Sequence, residues 1–199
     1  CRDQLVDEAR AMSAPTAPTR PVTIVPMRRR HLRGVLRIER HSVHARWSTG
    51  LFLNELAGTN RCYVVALDDA ARSTTRAVVG FAGLLCTGPD AHVTTIAVHP
   101  DARRAHIGTR LLLVLATEAR RRGAEAMTLE VAASNAAAVA LYERFGFQVE
   151  GVRAGYYAEL GEDALVLWMS DLAGDAAGRR LAAIAAGLDP ALHTEELIG

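Results

Sequence analysis

The sequence predicts an α/β chain of the α+β kind, with a mixed, mostly antiparallel central sheet flanked by helices. Three observations predict it. Apolar spacing alternates between period 2 and helical periodicity in the order βααβββαβαββ. Strands joined as hairpins come first and β-α-β-α units follow, an order that builds a mixed sheet with helices on both faces. Finally, 199 residues, half of them hydrophobic, suffice for one domain with a substantial core.

The elements follow in order. Ser13 to Pro21 is rich in Pro, Thr and Ala, and residues 1–21 are expected to form a disordered or non-native lead-in, with Met12-Ser13-Ala14 reading as a natural start. Val22–Val25 reads as a short strand closed by Pro26. From Arg28 to His41 the spacing of Leu32, Val35, Leu36 and Glu39 is helical. Ser48 is placed to cap a second helix running through Leu56. Arg61–Leu67, Arg76–Cys86 and Ala91–Val98 are expected strands, separated by a polar turn at 68–75 and by Gly88-Pro89-Asp90. A helix then runs through Arg122, with Ile107, Leu111, Val114, Leu115 and Ala119 on its buried face, and Gly123 stops it. Ala126–Val131 is a strand. Ser134 or Asn135 caps a helix that ends at Phe145-Gly146. Phe147–Arg153 and Asp163–Met169 complete the sheet. The domain is therefore expected over 22–170, followed by a tail, 171–199, with a potential Ala-rich helix at Arg179–Leu188.

Composition excludes several chemistries. All 23 basic residues are Arg, so lysine Schiff-base and pyridoxal-phosphate catalysis have no nucleophile. The bland reading of this absence is a codon bias shared with the high Ala content. A net charge of +1 does not favour direct nucleic-acid binding. Cys1, Cys62 and Cys86 form no metal-binding spacing, and no metal site is expected. No apolar run has membrane-spanning length, and the first residues lack a signal-peptide core. A cytoplasmic setting is the expectation.

Three segments carry potential chemistry. In the first, a strand ends near Val98 and the run from Arg103 to Thr109 opens a long helix. Helix N-terminal N–H groups and two arginines favour an anion, so the turn is either a pyrophosphate cradle or an ordinary turn with solvated arginines. It is neither a Walker loop nor a dinucleotide fingerprint. In the second, Glu130 ends an apolar strand, as a surface acid or as a general base in a half-apolar cleft. In the third, Tyr142 lies two turns into its helix, as a core residue or as a proton donor.

Together these segments resemble the GNAT acetyltransferase superfamily. Within it they are similar to the bacterial ribosomal-protein-alanine N-acetyltransferases. The resemblance is carried by Thr95-Ile96-Ala97-Val98-His99-Pro100, the arginines with Ile107-Gly108, Leu129-Glu130-Val131, and the run Ala133 to Glu143. Phe145-Gly146-Phe147, Arg153 to Tyr157, Ile38-Glu39 and Trp47-Ser48 extend it, so that it covers about Val22 to Met169.

The resemblance implies the GNAT fold, acetyl-CoA as co-substrate, and a protein or peptide N-terminus as acceptor, classically an alanine of a ribosomal protein. It implies that Ile96, Ala97 and Val98 bind the pantetheine arm. Arg103, Arg104, Ala105, His106, Ile107, Gly108 and Thr109 would hold the pyrophosphate, and Asn135 would touch the cofactor arm. Glu130 would be the general base and Tyr142 the general acid in direct transfer, with an oxyanion held by a backbone N–H near Val98. Glu39, Trp47 and Tyr157 would line the acceptor groove, formed by loop 42–50 and Tyr156-Tyr157. For Trp47 the other reading is a core anchor between two helices. One departure stands out: the family has glycine where this chain has His106, whose side chain either adds a hydrogen bond or weakens cofactor binding. Arg28, Arg29, Arg30, Arg33 and Arg37 form a basic run, either a solvated helix face or a docking surface for ribosomal RNA or an acidic partner. Two rival functions remain: an enzyme acting on lysine or small amines, and an acyl-CoA-binding module without catalysis.

Overall fold

The computed structural model describes residues 21–41, 48–158 and 161–188. Seven strands form one sheet: β1 (Val22–Pro26), β2 (Arg61–Asp68), β3 (Val78–Thr87), β4 (Asp90–Val98), β5 (Ala126–Ala132), β6 (Gln148–Tyr157) and β7 (Glu162–Met169), in spatial order β1-β2-β3-β4-β5-β7-β6. The helices are α1 (Leu32–Glu39), α2 (Thr49–Glu55), a single turn α3 (Thr74–Ala77), α4 (Ile107–Arg121), α5 (Ala136–Phe145) and α6 (Asp175–Ala186). This is the fold the sequence predicts. All neighbouring strands are antiparallel except β4 and β5.

Strand alternation builds two cores. On β2, Val64 and Ala66 face a large cluster with Leu111 and Leu115 of α4 and Phe145 of α5. Tyr63 and Val65 face a smaller one with Val35 and Ile38 of α1 and Phe52 of α2. Ser48 caps α2 as expected, its Oγ accepting from the Leu51 N–H at 3.2 Å.

Several boundaries differ from those read in the sequence. The first helix opens with a 3₁₀ turn, Arg29–His31, because the Arg28 N–H donates to His31 Nδ1 at 3.1 Å and fixes the entry. Strand β3 begins at Val78, not Arg76, because residues 74–77 coil into α3, where the Ala77 N–H donates to Ser73 O at 2.7 Å. The C-terminal helix starts at Asp175. Its Leu181 and Ile184, with the preceding Leu172, are buried in the large core, and Ala177 is buried as well. Their helical spacing makes a stripe facing α4, so the boundary drawn at residue 170 falls inside the packed unit. Arg37 also departs from the solvated run: its guanidinium donates to the carbonyls of Arg76 and Val78, whereas Arg28, Arg29, Arg30 and Arg33 are exposed. The lead-in up to residue 20, Trp47 and most of loop 42–50 lie outside the described residues. Among those described, no helix is long and apolar enough to cross a membrane.

Two irregularities in the sheet create the site. Pairing of β3 with β4 shifts between Gly83 and Leu84, whose partners are Thr95 and Val93, leaving Thr94 as a bulge. Tyr63 braces it: its hydroxyl lies 3.1 Å from Thr94 Oγ1 and donates to Glu55 Oε2 at 2.8 Å. Glycine is required at 83, since a Cβ there would stand 2.2 Å from Tyr63 Cε1. In addition, β4 pairs with β5 only from Asp90 to His92, opposite Ala126 to Thr128. Beyond that the strands part.

Candidate active site

The parting strands leave a long cleft. Its outer cavity, about 550 Å³, is lined by Arg103, Arg104, His106, Gly108 and Thr109 before α4 and by Ala138 of α5. A middle cavity of about 520 Å³ shares Val98, Arg103 and Ala137 with it. An inner cavity of about 230 Å³ shares Ile96, Ala97, Ala132 and Asn135 with the middle one and ends among His92, Glu130, Tyr142 and Tyr157. Residues expected to serve one site from distant parts of the chain thus line one continuous cleft. Glu39 of α1 is buried at its inner end. Among the described residues Ala105 is the exception, packing against the large core instead.

The outer end has the chemistry of an anion site. Arg104 and His106 both have left-handed backbones, with φ of 63° and 55°. Alternation of backbone hand turns successive N–H groups to one side, and the N-terminus of α4 adds its own. Position 106 thus needs the conformation glycine adopts most easily, and His106 adopts it with its side chain exposed. At Gly108 an added Cβ would meet nothing closer than Leu141 Cδ2, at 3.6 Å. The protein's own packing leaves space there, and the exposed Arg103 and Arg104 flank it. Backbone donors, open space and fixed positive charge fit a diphosphate, and the β4 edge freed from β5 fits an amide-bearing arm.

At the inner end, Glu130 is gripped from two sides. Its Oε1 lies 3.2 Å from Arg153 Nη1 and its Oε2 lies 3.3 Å from His92 Nε2. Burial holds the His92 imidazole below its ordinary pKa, with Glu130 opposing that shift and Arg153 adding to it. Arg153 also stands 5.6 Å from the centre of the Tyr156 ring, which meets Tyr157 edge-on. Tyr142 is buried edge-on against Phe147, and burial raises its hydroxyl pKa, so the phenol keeps its proton. Asn135 caps α5, its Oδ1 accepting from the Ala138 N–H at 3.2 Å, which leaves its amide nitrogen for the cleft.

Sequence reasoning missed the roles of His92, Arg153 and Thr94. His92 and Thr94 lie two apart on β4, the second at the bulge, but which residues of β5 they meet depends on register, which a single strand does not encode. Neither Cys62 nor Cys86 lines the cleft, and burial pushes the Cys62 thiol up to about 11 and raises that of Cys86 as well.

Comparison with known proteins agrees with this architecture. The model of the acetyltransferase (GNAT) family matches residues 30–147. The chain is 34% identical over 158 residues to the N-alpha-acetyltransferase RimI of Mycobacterium tuberculosis, covering 76% of this chain and 94% of that protein. It is 44% identical over 80 residues to the [ribosomal protein bS18]-alanine N-acetyltransferase of Escherichia coli K12, a match spanning 39% of this chain and 54% of that protein. The crystal structure of the ribosomal-protein-S18-alanine N-acetyltransferase from Escherichia coli superposes with a TM-score of 0.66 at 30% identity, over 75% of this chain and 94% of that one.

Proposed function

The chain belongs to the acetyltransferase (GNAT) family as an N-acetyltransferase, and from that premise we propose that it transfers the acetyl group of acetyl-CoA to the α-amine of a protein N-terminus. The observation that carries the proposal is the cleft between β4 and β5, whose three cavities share lining residues from the loop before α4 to Glu130 and Tyr142. The relatives named for N-alpha and bS18-alanine acetylation support the choice of acceptor, and a ribosomal protein is the proposed partner.

Acetyl-CoA would supply an activated thioester, and the chain's residues would do the rest. Arg103, Arg104 and the N–H groups from His106 to Thr109 hold the diphosphate. The open edge from Ile96 to Val98 and the amide of Asn135 hold the arm. A backbone N–H near Val98 is placed to receive the carbonyl oxygen as negative charge grows on it. An α-amine is largely protonated at neutral pH and must lose a proton before it attacks. Glu130 supplies the carboxylate whose negative charge favours that loss by attracting the proton, and Tyr142, which keeps its proton, protonates the departing thiolate. Cys62 and Cys86, which do not line the cleft and are poorly ionised, argue for direct transfer over an acyl-cysteine route. Glu39, Thr94, Tyr156 and Tyr157 line the acceptor end.

The test is mass spectrometry of a peptide with an N-terminal Ala and an internal Lys, incubated with the protein and acetyl-CoA. One acetyl group on the α-amine is expected. Acetylation of the Lys would reassign the acceptor to side chains, and bound acetyl-CoA with no product would end the N-terminal reading.

A further inference from the structure

The acceptor's proton has no unobstructed way onto Glu130. Both carboxylate oxygens are engaged, one by Arg153 and one by His92, and the Glu130 side chain is 10% exposed where that of His92 is 33% exposed. His92 sits on the last β4 position that pairs with β5, where the cleft opens, and lines the inner cavity with Thr94 and Glu130. The more accessible member of the pair is the imidazole.

We propose that His92 is the catalytic base that touches the acceptor amine, with Glu130 as its positioning partner. This rests on the N-terminal acetylation reading above. Glu130 holds the proton of His92 on Nε2, which leaves the lone pair of Nδ1 to accept. The α-ammonium gives one proton to Nδ1, and the freed amine forms its bond to the thioester carbonyl carbon. The carbon–sulfur bond then breaks and the thiolate takes the hydroxyl proton of Tyr142, whose oxygen is reprotonated by the second proton of the amine nitrogen. His92 returns its proton to solvent. The balance is one amide, one thiol and one released proton. Growing imidazolium charge is stabilised by Glu130, the arrangement by which a carboxylate orients a histidine base and strengthens it in the transition state. The charged groups facing His92 are Glu130 from β5 and Arg153 from β6, while Glu39, Tyr142, Tyr156 and Tyr157 line the same cavity.

The experiment is the pH profile of kcat/KM for wild type, His92→Gln, His92→Ala and Glu130→Gln with the Ala-terminal peptide. Wild type should lose activity on an acidic limb below pH about 6.5, since burial lowers the histidine from that ordinary value. His92→Gln should lose about 10²–10⁴ in kcat, the range for general-base removal, and lose the limb, with KM for acetyl-CoA unchanged. Added imidazole should restore part of the rate in His92→Ala. Glu130→Gln should keep the limb but move it to lower pH, because the charge that raises the His92 pKa is gone. A His92→Gln enzyme at wild-type rate, or a limb that vanishes in Glu130→Gln without imidazole rescue of His92→Ala, would overturn the proposal. Should the protein acetylate only a lysine or a small amine, the N-terminal reading fails and the same four profiles are run on that acceptor. Ring-nitrogen NMR of the intact protein judges the pair without turnover: a neutral His92 with its proton on Nε2 at pH 7 supports it, and a proton on Nδ1 or an imidazolium overturns it.

Discussion

Glu130 and Tyr142 sit at one end of one cavity, yet their environments differ: the carboxylate is held between Arg153 and His92, and the phenol ring is buried edge-on against Phe147. Tyr142→Phe keeps the ring packing on Phe147 and removes only the donor, so kcat should fall about 10²–10⁴-fold with an unchanged thermal midpoint. Steady-state kinetics with differential scanning fluorimetry checks both halves. A second prediction concerns acid. His31, His92 and His99 all have pKa values lowered by burial, with arginines (Arg30 and Arg28 for His31) adding to the effect. The folded state therefore binds fewer protons than the unfolded chain just below pH 6.5, and stability rises with pH there. The stabilisation is complete above about 6.5 and is lost as pH falls through the folded values. Thermal midpoints between pH 7.5 and 5 should decline, and a flat profile would contradict this.

At the level of elements, α5 carries Tyr142 and is held at its C-terminal end by α6. Arg180 of α6 donates to Phe145 O at 2.8 Å and pairs with both oxygens of Asp171 at 3.0 Å. A cation at a helix C-terminus is favourable. Gly146 ends α5 at φ 94°, and a Cβ there would stand 2.4 Å from Arg180 Cζ. Gly146→Ala combines a left-handed backbone with that clash and should cost more than about 1 kcal/mol, read by urea unfolding. The stripe of α6 should matter more. Leu181→Ala is expected to cost about 2–5 kcal/mol by emptying a buried site, and a chain ending at residue 170 should fail to yield a cooperative unfolding transition. A truncated protein that unfolds as the full chain does would show α6 to be an appendage.

At the scale of the molecule, the cleft exists because two halves of one sheet separate. The meander β1–β4 and the group β5–β7–β6 share only three paired positions, from Asp90 to His92. The cofactor end and the chemical end therefore lie on one groove and should respond to different variants. Arg103→Ala with Arg104→Ala should raise KM for acetyl-CoA about tenfold or more, as expected when charge-assisted hydrogen bonds are lost, with little change in kcat. The same pair should weaken the salt dependence of KM, because exposed charges are screened. An unchanged KM would remove these arginines from the phosphate site.

The sequence by itself determined the fold class, the order of the main elements, the buried face of α4, the cap at Ser48, and the stop at Gly146, while the choice of Asn135 over Ser134 as the cap of α5 came from the structure. Those that it determined follow from periodicity and local backbone chemistry, which act within a few residues. It also marked Glu130, Tyr142 and the loop before α4 as segments with chemistry. Only the tertiary structure decided that these segments share one cleft, since that depends on where β4 leaves β5. Pairing register alone put His92 and Arg153 on Glu130. Membership of α6 in the core was likewise decided by packing: an Ala-rich helix reads the same whether its stripe meets α4 or water, and it is the burial of Leu172, Leu181 and Ile184 against the rest of the chain that fixes it.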